Sequence, residues 1–194
     1  MKKPTNGRRN FAHNLHKQDV LLNSPQTNHS VMLKQIINGR ILTPQGWLEG
    51  GSVIIDGNKI LAVSNSDLHI VNAQIIDAKG CYVVPGGVDL HVHGGGGRDF
   101  MEGTEEAFRV AIKAHMKHGT TSIFPTLSSS TVPMIEAACE TCQKLMEEEN
   151  SPVLGLHLEG PYFNPKQAGA QIPEWIKPPL AEEYEPLLDK YPCI

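Results

Sequence analysis

The feature that most constrains the fold is a repeated order of apolar run, loop and amphipathic helix, which begins at Tyr82. Three apolar runs predict strands, at residues 82–92, 121–127 and 153–158. Segments with helical periodicity predict three helices, at residues 104–118, 131–149 and 182–190. Strands that alternate with helices pair in parallel and are buried on both faces. The sequence therefore predicts an α/β fold with parallel βα units.

Residues 32–84 have a different pattern, in which short apolar runs are separated by turn residues. This pattern predicts a small antiparallel β unit, with a hairpin turn at residues 56–58, because Asp and Gly tolerate positive φ between two β-branched runs. Residues 1–31 are polar and lack the apolar run that a secretory signal requires. They are predicted to be a disordered leader, and Met32 is a sensible alternative start because the patterned sequence begins there.

The composition of the chain bears on which classes of partner it can bind and on the cell compartment in which it works. The net charge of -4 is small and the basic residues form no stripe, so a nucleic-acid partner is not expected. No segment approaches the length of a membrane span, so a membrane partner is not expected either. Four cysteines are too sparse for a secreted disulfide scaffold, which favours the cytoplasm. Cys139 and Cys142 form a CxxC motif, but they follow the helical apolar pattern and are expected to pack in the core.

His91 and His93 are the first candidate metal ligands, and they end the stretch PGGVDLHVH at residues 85–93. Side chains two residues apart in a strand point to the same face, so both imidazoles can reach one cation. In a (β/α)8 barrel they would lie at the C-terminal end of a strand, where the active sites of barrel enzymes are found. Two histidines on a solvated strand end are the alternative, although the flanking glycines favour a pocket.

Glu159 is the third candidate ligand. It follows an apolar strand directly and precedes Gly160 and Pro161, which places a carboxylate at the end of that strand. A carboxylate at this place requires a partner, and a divalent cation is the obvious one. A capping role in a loop or helix is the alternative. His157 precedes Glu159 by two residues, so its side chain points to the same face of the strand but lies deeper. It is either a packed neighbour of the ligands or a ligand itself.

Three segments together carry a resemblance to one enzyme family: PGGVDLHVHGGGGRDF at 85–100, HGTTSIFPTL at 118–127 and VLGLHLEGPYFNPKQAGA at 153–170. In this order and spacing they closely resemble N-acetylglucosamine-6-phosphate deacetylases of the amidohydrolase superfamily. The HxH motif alone marks only the superfamily. HLEGP joined to Asn-Pro-Lys-x-x-Gly-Ala is far more specific, and the resemblance extends over residues 34–175.

The resemblance implies a fold and a reaction. The expected fold is a partial (β/α)8 TIM-type barrel at 85–194, limited to its first three βα units, preceded by part of a small β-sandwich at 32–84. The expected reaction converts N-acetylglucosamine 6-phosphate to glucosamine 6-phosphate and acetate, so the partner is a small amino-sugar phosphate. The full-length protein is expected to be a homodimer.

The resemblance also implies site residues. Glu159 would bind the catalytic divalent ion, of the Zn, Fe, Mn or Co type, and His91 and His93 would hold a second ion where two are bound. The backbone of Ala170 matches the position that contacts the sugar, and Gln171 stands where relatives often have histidine. Arg98 and Lys166 are candidates for contacting the phosphate.

No catalytic residue is assigned in this chain, because the family's general acid/base aspartate comes from a later strand. The isolated chain is therefore expected to be inactive. Two other functions stay open. One is a cyclic amidase or a dihydroorotase-like enzyme, which shares the PGxxDxHxH opening but usually bridges two metals with a carboxylated lysine. The other is a non-catalytic, truncated module.

Overall fold

The computed structural model describes residues 32–66 and 68–194, and the leader predicted at 1–31 lies outside the described residues. The prediction of a mixed α/β fold is confirmed. The strands are β1 Lys34–Thr43, β2 Gly46–Asp56, β3 Lys59–Ser64, β4 Gln74–Asp77, β5 Tyr82–Val83, β6 Gly87–Val92, β7 Gly94–Gly95, β8 Arg98–Asp99, β9 Thr120–Leu127 and β10 His157–Leu158. The helices are α1 Glu105–Met116, α2 Val132–Met146 and α3 Ala181–Lys190. In the part of the chain that is described, no helix has the length and apolarity needed to cross a bilayer.

The first sheet has the order β3-β2-β1-β4, with β5 also beside β1. The predicted hairpin is present between β2 and β3, where Gly57 adopts a φ of 56°. The prediction of an antiparallel unit holds for β1, β2 and β3 but is wrong for β4 and β5, which pair with β1 in parallel. The tight turns between β1 and β2 and between β2 and β3 reverse the chain and give antiparallel pairs. The longer connection between β3 and β4 lets β4 run beside β1 in the same direction as β1.

The second sheet contains the predicted parallel strands in the order β10-β9-β6. Helix α1 joins β6 to β9 and helix α2 joins β9 to β10. Thr104 caps α1 as predicted, because its hydroxyl accepts a hydrogen bond from the backbone N–H of Ala107 at 3.3 Å. Pro133 lies in the first turn of α2, where its missing N–H costs no helical hydrogen bond.

Two of the predicted strands differ in detail. The strand predicted at 82–92 is divided at residues 84–86, so that β5 joins the first sheet and β6 the second. The strand predicted at 153–158 has regular pairing only in β10. Val153 makes an isolated bridge to Ile123, and the N–H of Leu156 donates to the carbonyl of Cys193 at 2.6 Å. At Leu156 the backbone hydrogen bond is therefore made with Cys193, which lies after α3, and not with β9.

The main core lies between the second sheet and helices α1 and α2, and its largest fully buried side chains include Phe100, Phe108 and Ile123. Cys139 and Cys142 are fully buried in this core, as predicted. Hydrogen bonding to Cys193 and burial raise the pKa of both thiols, so they remain protonated and pack as small apolar groups.

Candidate metal centre

The ends of β6 and β10 bring together the three side chains that the sequence singles out as metal ligands. The Nε2 atoms of His91 and His93 are 3.1 Å apart. Glu159 Oε2 lies 3.0 Å from His93 Nε2 and 3.4 Å from His91 Nε2. The three ligand atoms all fall within 4.8 Å of one another. Two imidazoles and one carboxylate at this spacing offer the N and O donors that a divalent transition-metal ion prefers.

The backbone fixes Glu159 at the end of β10. Its N–H donates to the carbonyl of Leu127 at 2.8 Å, which extends the pairing of β10 with β9 by one residue. Gly160 then adopts a φ of 100°, a conformation that side chains rarely allow. A Cβ at Gly160 would also collide with Phe163 and with the hydroxyl of Ser129. The chain can therefore turn sharply just after the carboxylate.

The three side chains face an accessible space. The exposed fractions of the His91, His93 and Glu159 side chains are 51%, 39% and 30%. Groups with this exposure can exchange an ion or a small ligand with solvent, while their backbones are held in the sheet. The arrangement is thus a candidate binding site and not a buried structural cluster.

Two hydroxyl groups at the C-terminal end of β9, one in the strand and one directly after it, lie next to the segment that carries the two histidines. Thr126 Oγ1 accepts a hydrogen bond from the N–H of Val92, between the histidines, at 3.0 Å. Ser128 Oγ lies 3.3 Å from His93 Nδ1. Neither residue was singled out by the sequence prediction. Their place in the sequence could have found them, because both lie at the C-terminal end of β9, and parallel strands end at the same edge of a sheet as the candidate ligands.

His157 lies beside the three ligands, outside the group whose donor atoms converge. Its ring contacts the ring of His91 edge-on, with 5.0 Å between centroids. Its Nδ1 is 3.3 Å from Thr126 Oγ1. Of the two roles that the sequence left open, this geometry corresponds to the packed neighbour.

Ala170 lies in the segment that follows Glu159, and its side chain is exposed. The next residue anchors this segment to the second sheet, since Gln171 Oε1 accepts a hydrogen bond from the N–H of Ser129 at 2.7 Å. Gln171 is thus an anchor of the segment that carries Ala170, a role that its position in the sequence did not reveal.

The two candidate phosphate contacts have different surroundings. The Arg98 guanidinium pairs with Glu102 and Glu106, at 2.7 Å and 3.1 Å. The hydrogen bond with Glu102 raises the pKa of Arg98. A phosphate that bound Arg98 would have to compete with these two carboxylates. Lys166 is exposed in the short turn Pro165–Gln167. No carboxylate of residues 32–66 or 68–194 pairs with Lys166, so none of them would have to be displaced by a phosphate that binds there.

Comparison with known proteins agrees with the architecture of this site. Residues 82–190 match the model of the amidohydrolase family. The N-acetylglucosamine-6-phosphate deacetylase of Bacillus subtilis is 32% identical over 162 residues, which are 80% of this chain and 40% of that protein. An N-acetylgalactosamine-6-phosphate deacetylase of Escherichia coli O157:H7 is 31% identical over 142 residues, covering 71% of this chain and 36% of its own.

A solved structure extends the likeness to the fold. The crystal structure of N-acetylglucosamine-6-phosphate deacetylase from Pasteurella multocida matches with a TM-score of 0.79 and 29% identity, covering 84% of this chain and 43% of that one. The chain thus spans about 40% of the length of the relatives that it matches. The family match covers all residues from the start of β5 to the end of α3, including the three converging side chains. The chain therefore belongs to the amidohydrolase family.

Proposed function

We propose that this chain forms the first part of the active site of a deacetylase that hydrolyses the acetamido group of an amino-sugar 6-phosphate, with N-acetylglucosamine 6-phosphate as the first candidate substrate. The observation that carries the proposal is the convergence of His91, His93 and Glu159 at one end of a parallel sheet. The names of the relatives support this reaction, and they include both the glucosamine and the galactosamine epimers of the substrate.

In this proposal β6, β9 and β10 are the first three strands of a (β/α)8 barrel, and residues 32–84 are part of a β-sandwich. The strands are parallel, they follow chain order across the sheet, and helices connect them. The edge strand β6 supports the idea of further units, because Val88 and Leu90 on it are 59% and 63% exposed. Apolar side chains on a parallel strand are normally covered on both faces.

Glu159, His91 and His93 are proposed to hold one or two divalent ions. When bound, such an ion lowers the pKa of its water toward about 7 and polarises the amide carbonyl. Glu159 would contribute a negatively charged oxygen ligand, and His91 and His93 would each contribute a nitrogen ligand. The segment at residues 161–176 lies next to Glu159 in the chain, and the Ala170 backbone within it is proposed to contact the sugar.

The isolated chain is proposed to bind metal without turnover, since it spans about 40% of the length of the relatives. The whole enzyme is proposed to be a cytoplasmic homodimer. A chimera tests the reaction directly: residues 32–194 replace the matching part of the Bacillus subtilis deacetylase. Acetate release is measured with both amino-sugar phosphates, and ring opening is measured with dihydroorotate and with a hydantoin, which contain no acetyl group.

We expect the chimera to release acetate from N-acetylglucosamine 6-phosphate and to lose that activity on H91A or E159Q substitution. The matched controls are H118A and E185Q, which change an exposed residue just after α1 and an exposed residue of α3. Activity only toward the cyclic amides would overturn the deacetylase proposal. Acetate release by the isolated chain would overturn the proposal that it is inactive alone.

A further inference from the structure

We propose that Ser128 is a positioning residue of the metal centre, which holds the imidazole of His93 through its Nδ1 atom. This inference rests on the proposed metal-binding function of His91, His93 and Glu159. The Ser128 hydroxyl lies 3.3 Å from His93 Nδ1, while the opposite ring nitrogen, Nε2, lies 3.0 Å from Glu159. The ring of His93 therefore has a polar partner at each nitrogen.

The position of Ser128 in the sheet follows the same rule as the positions of the ligands. His93, Ser128 and Glu159 are each the first residue after a parallel strand, namely after β6, β9 and β10. Strand β9 lies between the other two. Because parallel strands end at the same edge of a sheet, Ser128 is placed between His93 and Glu159, within reach of the side of the His93 ring.

The backbone around Ser128 is held by the residues that follow it. Ser130 Oγ donates to the carbonyl of Ser128 at 2.6 Å, and the N–H of Ser129 donates to Gln171. Both Ser129 and Ser130 are buried. These contacts fix the main chain, so the orientation of the Ser128 side chain requires little additional ordering, and its hydroxyl is pre-organised toward His93.

A hydroxyl suits this position because it can both donate and accept a hydrogen bond. A metal at Nε2 requires the ring proton at Nδ1, and Ser128 Oγ then accepts that N–H. Without a metal, an Nε2–H can donate to Glu159, and Ser128 then donates its hydroxyl proton to Nδ1. The same side chain therefore holds the ring in one orientation in both states, as partners of metal-binding histidines commonly do.

The experiment measures zinc affinity of the 194-residue chain by competition with a chromophoric chelator, for the wild type, S128A, S128T and S122A. Ser122 is a matched control near the start of β9, the strand that Ser128 follows, and it pairs with Val88. We expect S128A to bind zinc about 10- to 100-fold more weakly. S128T retains the hydroxyl and should restore most of the affinity, and S122A should bind as the wild type does.

The visible spectrum of the Co²⁺-loaded proteins gives a second readout, because the bands report the geometry of the ligands and not the stability of the fold. We expect S128A to shift these bands while S122A leaves them unchanged. Wild-type affinity and an unchanged spectrum in S128A would overturn the role of Ser128 but leave the metal centre intact. A wild-type chain that binds neither Zn²⁺ nor Co²⁺ would overturn both proposals.

Discussion

His93 Nε2 lies 3.0 Å from Glu159 Oε2, although the two residues follow strands at opposite edges of the three-stranded sheet. With β9 between them, the backbones of β6 and β10 are separated by about 10 Å, or twice the usual strand spacing. The two side chains therefore lean toward each other across the end of β9. An ion held between them would connect two elements that have no backbone pairing with each other.

This connection predicts that metal binding stabilises the fold. An ion that binds the folded state but not the unfolded state adds about 2.7 kcal/mol to the free energy of unfolding when its concentration is 100 times the Kd. We expect ZnCl₂ to raise the melting temperature and EDTA to reverse the effect, as measured by circular dichroism. H93A should abolish the shift and H118A should retain it. Equal shifts in both variants would place the zinc elsewhere on the chain.

A second prediction concerns the charge of Glu159. E159Q keeps the shape of the side chain but removes the anionic ligand, and an uncharged amide oxygen is a poor substitute in a zinc site. We expect the zinc affinity to fall by more than the roughly 10- to 100-fold loss typical of a residue that only supports a ligand. The control is E174Q in the exposed turn Pro173–Trp175. Chelator competition measures both variants, and an unchanged affinity of E159Q would exclude Glu159 as a ligand.

The convergence of the candidate ligands could be predicted because it depends on local rules. The parity of His91 and His93 follows from strand geometry, and Glu159 directly follows an apolar run. Parallel strands joined by helices then bring all three to one edge of a sheet. The helix start at Thr104 was similarly predictable, because the cap involves residues close in sequence.

The contacts that the sequence did not predict join segments that are distant in the chain. Ser128 meets His93, Gln171 meets Ser129, and Leu156 meets Cys193 only after the strands and the final turn have packed. A serine or glutamine in a loop has many possible partners, and its sequence neighbours do not select one. The division between β5 and β6 is similar, since β5 is held by pairing with β1.

A third prediction concerns the hydrogen bond between Gln171 and Ser129. Q171A removes the acceptor and should loosen the segment at 161–176, including Ala170. Loss of one such bond is worth about 1 kcal/mol, or roughly a fivefold increase in local opening. Hydrogen exchange should show faster labelling of Ser129 and of this segment, while α1 exchanges as in the wild type. The control is Q167A, an exposed position in the same segment. Unchanged exchange in Q171A would show that other contacts hold the segment.

The last prediction concerns acid stability and the ion pairs between α1 and the α2 region. Hydrogen bonding from Lys144 lowers the pKa of Glu105, and hydrogen bonding from Arg109 lowers the pKa of Glu148. The unfolded chain has the ordinary glutamate pKa of about 4.3. A carboxyl whose pKa is lower in the folded state adds stability above the unfolded pKa, and this stability is lost as the pH falls through the folded value.

The urea midpoint should therefore decrease as the pH is lowered from about 5 to about 3. The double variant E105Q/E148Q should be less stable than the wild type at pH 7 and should show a shallower decrease, since two of the groups responsible no longer titrate. E185Q changes an exposed glutamate of α3 and should retain the wild-type slope. Because both pairs are exposed, added salt should reduce the difference between the wild type and the double variant. A double variant with the full wild-type slope would show that other carboxylates cause the acid sensitivity.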